Sequence, residues 1–128
     1  METKAFKSQT NQNINSIQNI IYDFIDKILE KYNNKIDKII LYGSYARGEA
    51  TKNSDIDIMI LVNEEDERSF KEIRIDILSI SYDIEDKYNF LFDLSPIVKK
   101  LSFYNEWENT LPLFINVKKE GVVLYTNE

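Results

Sequence analysis

The sequence predicts a single α/β domain, and three observations carry that expectation. The chain has 128 residues, the size of one domain, and folding at that length removes roughly two-thirds of the unfolded surface from water. Segments with a helical apolar period alternate along it with short β-rich runs. Its 43% hydrophobic and 30% charged content, with only three Gly and two Pro, belongs to globular chains rather than disordered or fibrous ones. No internal repeat and no linker divides it.

The elements follow in order. Residues 1–11 are polar and are expected to fray. Between Asn13 and Tyr32, Ile14, Ile17, Ile21, Phe24 and Ile28 recur three and four apart, which predicts an amphipathic helix that the Asn33-Asn34 pair ends. Ile36 to Tyr42 (IDKIILY) is β-rich and stops at Gly43, so it predicts a strand. Residues 43–54 are a polar, turn-rich connection. Asp55 to Val62 (DIDIMILV) is the clearest strand, followed by a charged loop from Asn63 to Glu67. The next stretch alternates locally like a strand, but Phe70, Ile73, Ile77, Ile80 and Ile84 hold helical spacing for four turns. That length predicts a helix from Phe70 to Tyr88. Phe90 to Val98 (FLFDLSPIV) predicts a third strand, and Pro96 predicts that it lies at a sheet edge or ends there. Pro112 separates two short helices, Phe103–Asn109 and Leu113–Lys119. Gly121 is the expected C-cap of the second, and Val122–Tyr125 a last short strand.

Composition excludes several chemistries. There is no Cys, hence no disulfide, thiolate metal site or thiol nucleophile. There is no His, hence no Ser-His-Asp triad, His-ligated zinc or imidazole acid-base step. Catalysis must run on carboxylates, hydroxyls, Lys, Arg or a hard metal bound by oxygen. Sixteen Lys and Arg against 22 Asp and Glu give a net charge of −6, which disfavours a clamp on long nucleic acid. No apolar run approaches the ~18 residues of a membrane span, and the polar N-terminus lacks a signal core. A cytoplasmic location is the expectation.

The informative segment runs from Gly43 to Asp57. A strand ends in Gly43-Ser44, ten residues intervene, and the next strand opens with Asp55-Ile56-Asp57. Residues two apart on a strand share a face, so both carboxylates project together with Cα atoms about 6–7 Å apart. Such a pair repels itself unless a cation lies between. Without His or Cys, that cation is Mg²⁺ or Mn²⁺. Two such ions clamp an in-line phosphoryl or nucleotidyl transfer. Gly43 lets the backbone approach a ligand, and the amides that follow it, with the Ser44 hydroxyl, can face phosphate oxygens. Arg47 and Lys52 lie in the same connection and can neutralise phosphate charge. Ile56, Ile58, Ile60 and Val62 fill one face of the strand, while Met59 and Leu61 continue the other behind the acids. The two acids therefore sit at the open end of a strand buried further along.

A third carboxylate would complete the site. Asp93 interrupts the apolar run Phe90–Val98, where an acid is expensive unless paired or metal-bound. The alternative for Asp93 is an edge residue that points to water. Asp76 and Asp83, off the apolar stripe of their helix, are expected to be solvated, and Glu64–Glu67 to be an exposed loop. Trp107, Tyr82, Tyr88 and Tyr104 are expected in the core or an interface rather than as a base-stacking platform.

The stretch GSYARGEATKNSDIDIMI resembles the signature of the minimal nucleotidyltransferases, the MNT-domain family of the polymerase-β-like superfamily. The tail PLFINVKKEGVVLY resembles the end of the same small proteins, so the likeness covers about residues 36–125. It implies a short mixed sheet backed by helices. It implies Mg²⁺-dependent transfer of a nucleoside monophosphate, usually from ATP, to a hydroxyl. By the same likeness Gly43 and Ser44 hold the triphosphate and Asp55 and Asp57 carry the metals. Asp93 matches the third family acid and general base, by its position in a strand. Many such proteins are antitoxins of HEPN-domain RNase toxins, and some add AMP to a toxin tyrosine. Three functions therefore stand open: a protein adenylyltransferase and antitoxin, a small-molecule (antibiotic-type) nucleotidyltransferase, or a non-catalytic module that silences a partner by contact. With no second domain for an acceptor in 128 residues, a homo- or hetero-oligomer is expected.

Overall fold

The computed structural model describes residues 11–127. The fraying expected of residues 1–11 therefore falls outside them except at Asn11, the first residue of a helix. The elements are α1 (Asn11–Tyr32), β1 (Ile36–Tyr42), α2 (Ser44–Arg47), β2 (Ile56–Val62), α3 (Glu67–Lys87), β3 (Leu94–Lys100), α4 (Leu101–Trp107), α5 (Pro112–Glu120) and β4 (Val122–Thr126). They form one four-stranded sheet in the order β3-β2-β1-β4. β1 runs antiparallel to both β2 and β4, and β2 runs parallel to β3, so the sheet is mixed.

Strand alternation divides the core into two layers. Ile39 and Leu41 of β1 and Ile56, Ile58, Ile60 and Val62 of β2 pack with Ile17, Ile20, Ile21, Phe24 and Ile28 of α1 and Ile73, Ile77 and Ile84 of α3. On the opposite face Ile40, Tyr42, Met59 and Leu61 meet Tyr104 of α4 and Phe114 and Val117 of α5. β2 is thus buried on both sides along most of its length, as its sequence predicts.

Two antiparallel clasps join α1 to α3. The Tyr32 hydroxyl donates to Asp76 Oδ2 at 2.5 Å, and Lys31 pairs with the same carboxylate. The Tyr88 hydroxyl donates to Asp23 Oδ2 at 2.5 Å, and Lys87 Nζ donates to the same oxygen at 2.9 Å. These partners hold both carboxyls below the usual range. Burial, with the adjoining carboxylate, pushes each phenol up to about 12. Asp76 is therefore half-buried and paired rather than solvated, because α1 covers its side of α3. Asp83 is exposed, as expected.

The third strand differs from its expected span. α3 begins at Glu67, because Asp66 caps it by accepting the Ser69 amide at 2.9 Å, and it runs to Lys87. Asn89 and Phe90 then take left-handed backbone angles, φ 58° and 55°. The Phe90 amide donates back to the Glu85 carbonyl at 2.8 Å. Phe90-Leu91-Phe92-Asp93 is consequently the turn out of α3, not strand. β3 starts at Leu94, whose amide donates to Glu85 Oε2 at 2.9 Å. Pro96 lies in an edge strand, as its missing amide requires. Gly121 does cap α5, but at φ −69° and ψ 147°, so it is no left-handed cap.

Candidate active site

The site is built where β1 ends and β2 begins. The register pairs Tyr42 with Asp57, so the chain leaves β1 directly beside the second acid. Gly43 has φ 78° and ψ −156°. A Cβ placed there would fall inside van der Waals contact of Asp57 Oδ2. Only glycine both adopts this backbone and admits the carboxylate. Ser44 opens α2 with no side-chain cap on its first turn. α2 thus starts next to the glycine that abuts Asp57, and Tyr45 anchors the turn in the core.

Asp55 is exposed just ahead of β2, and Asp57 is half-buried within it. Burial, and then the Asp55 charge, raise the Asp57 carboxyl above its ordinary value. The Arg47 charge and a hydrogen bond with the Ser95 side chain pull it back in part. The neighbouring Tyr42 phenol is pushed up to about 12 by burial and by Asp57.

Arg47 is exposed. Its Nε donates to Glu49 Oε1 at 2.8 Å and its Nη1 to Glu120 Oε1 at 3.1 Å. It bridges α2 to the end of α5, so a phosphate must compete with two carboxylates for it. Asp93 is exposed and lies one residue before β3. The register sets Leu94 beside Ile56 and Ser95 beside Asp57, and the Asp93 carbonyl accepts the Ile56 amide at 2.8 Å. The expectation of an acid inside a buried strand is corrected: the turn after α3 carries Asp93 at the mouth of the sheet.

Among the described residues no three acidic groups converge as a complete metal cage. The pair itself fits a hard divalent cation. Its donors are all oxygen, and burial together with the Asp55 charge raises Asp57, a rise that a bound cation would oppose. Mg²⁺ is commonly held by one or two carboxylates, with substrate phosphates and water supplying the rest.

Residues 21–123 match the nucleotidyltransferase domain family. The chain belongs to that family. A Methanocaldococcus jannaschii protein provisionally named a protein adenylyltransferase is 40% identical over 96 residues, 70% of this chain and 90% of the relative. A solved Sulfolobus solfataricus structure, provisionally named a nucleotidyltransferase, shares the fold with a TM-score of 0.57. It covers 99% of this chain and 91% of its own, at 16% identity. A toxin-antitoxin structure with AMP-PNP lies further away, at a TM-score of 0.49 and 21% identity, covering 82% of this chain and 73% of its own. The nucleotidyltransferase is an enzyme with the polymerase-β-like fold that its motif implied. No helix among its described residues is long and apolar enough to cross a membrane.

Two residues beside the acids went unread in the sequence. Ser95 is marked only by its register with Asp57, which no local pattern announces. Tyr42 reads as the last residue of a β-rich run. Its place opposite Asp57 requires the β1–β2 pairing.

Proposed function

We propose that this nucleotidyltransferase moves AMP from ATP, carried with Mg²⁺, to a protein hydroxyl. We take the acceptor to be a tyrosine of a HEPN-domain toxin, for which the chain is the antitoxin. The observation that carries the protein acceptor is the 40% identity to a relative named for protein adenylylation and matched over 90% of its length. The toxin and its tyrosine rest on the resemblance of the Gly43–Asp57 motif to the MNT signature.

Asp55 and Asp57 would hold the divalent ions, with Asp93 at the neighbouring strand end. When bound, these ions neutralise the triphosphate and the charge that develops at the transferred phosphorus. The chain's own residues do the rest. Gly43 and Ser44 receive the phosphate oxygens on backbone and hydroxyl donors. Arg47, released from Glu49 and Glu120, adds charge against the phosphates. A tyrosine acceptor has a pKa near 10 and must lose its proton during attack. With no His in the chain, we assign that proton to Asp93, which is exposed and stands one residue before β3. The acceptor oxygen then bonds to the α-phosphorus, the bond to the bridging oxygen breaks, and pyrophosphate leaves.

The test is incubation with α-labelled ATP, Mg²⁺ and the product of the adjacent gene, followed by mass spectrometry. An AMP adduct on a tyrosine of that protein is the expected result. Label on a small-molecule hydroxyl alone moves the acceptor to the antibiotic class. Absence of transfer to either, with partner activity still silenced, makes the chain a contact inhibitor.

A further inference from the structure

The outer face of α3, opposite its core stripe, carries a second apolar stripe. Ile75 is 53%, Leu78 37% and Tyr82 61% exposed. They continue a three-four spacing that starts at Arg68 and Lys71, the seam along which two helices pair. The Tyr82 ring meets Phe90 at 5.7 Å, and Phe90 (49% exposed) and Leu91 (69%) extend the apolar surface past the helix end.

Charge is divided along this seam. Arg68 and Lys71 lie on its N-terminal half and Asp86 on its C-terminal half, all exposed, while Arg74 sits on the side of Lys99 and Lys100 and Asp83 on the side of Lys27 and Lys87. The other acids are occupied or off the seam. Glu67 pairs with Lys100, Glu85 accepts the Leu94 amide, and Glu72 lies on the side toward Tyr32. A helix face basic at one end, apolar in the middle and acidic at the other is complementary to itself turned end for end. With a twofold axis at the level of Leu78 and Ser79, ideal helix geometry brings Ile75 level with the second copy's Tyr82. Lys71, with Arg68 one turn away, comes level with its Asp86. The five apolar side chains of two copies expose on the order of 1,000 Å², about what a specific interface needs.

The geometry points to a second copy of this chain as the occupant: the protein forms an isologous dimer through antiparallel α3 helices. The dimer requires nothing of the reaction proposed above. The turn Phe90–Asp93 sets its rim close to the mouth of the acid pair.

Sedimentation equilibrium over a concentration series tests it on the full chain. The wild type is expected as a reversible dimer. R68E/K71E puts acid against acid, and D86K puts base against base. Each should weaken the dimer about tenfold or more. All three sites are exposed, and every reversal favours the helix dipole, so the variants keep the fold, which circular dichroism confirms. The two variants mixed, or R68E/K71E/D86K alone, should dimerise again. A monomeric wild type, reversals without effect, or mixing without rescue would overturn the proposal.

Discussion

Burial and the Asp55 charge both raise the Asp57 carboxyl, so at neutral pH the apo fold holds an ionised group that it destabilises. The folded pKa lies above the unfolded one. The associated stability is therefore present below the ordinary value of 3.8 and is lost as pH rises through the raised value. Asp57→Asn removes that loss and can still accept from Ser95. Thermal unfolding of the apo protein near neutral pH should show a higher Tm for the variant, with the gain shrinking toward about pH 4. An unchanged or lower Tm would mean that the acid pair is not in conflict. Gly43→Ala probes the same contact from the other side. The strained φ and the clash with Asp57 Oδ2 should cost about 1–3 kcal/mol in urea unfolding and weaken Mg·ATP binding. The pair and its glycine were legible in the sequence because two-residue spacing on one strand and a fixed ten-residue connection are local patterns. Ser95 and Tyr42 were not, because each reaches Asp57 only across a strand pairing.

Between elements, α1 and α3 are held by the Asp23–Tyr88 and Asp76–Tyr32 clasps. Hydrogen bonds from Tyr88 and Lys87 lower Asp23, and those from Lys31 and Tyr32 lower Asp76. A depressed carboxyl contributes stability above the unfolded value near 3.8, and that stability is lost as pH falls through the folded value. Asp23→Asn or Tyr88→Phe should each cost at most about 1 kcal/mol in neutral urea melts, since the pairs are solvent-screened. The Asp23→Asn difference should fade in acid; a constant difference would assign its effect to packing. The same helix explains the misread strand. Its four-turn apolar period was plain, but its exit was not, because Phe90-Leu91-Phe92-Asp93 alternates like a strand while Glu85 bonds it into a turn. Asp93 therefore stands at the start of β3 instead of inside it. Asp93→Asn should leave Mg·ATP binding nearly intact and slow single-turnover AMP transfer ~100-fold or more, the scale of a lost general base. Loss of binding as well would give Asp93 the nucleotide metal, and normal transfer would leave it decorating an edge.

For the whole molecule, the alternation of helical and β-rich segments specified an α/β fold, and Pro96 left an edge strand or a strand end, of which the edge is the outcome. Strand order and direction came only with the long-range pairing of β1 to β4 and β2 to β3. That pairing gathers residues from β1, α2, β2 and the α3–β3 turn at one mouth of the sheet. In an acidic chain of net charge −6, the triphosphate proposed for this mouth would need cations to neutralise it. Calorimetric titration of ATP, first in EDTA and then in excess Mg²⁺, measures that requirement directly. Affinity should rise at least ~10-fold with Mg²⁺, and Asp57→Asn should lose the rise. Equal affinity with and without metal would contradict the assignment of Asp55 and Asp57 as the metal-carrying pair.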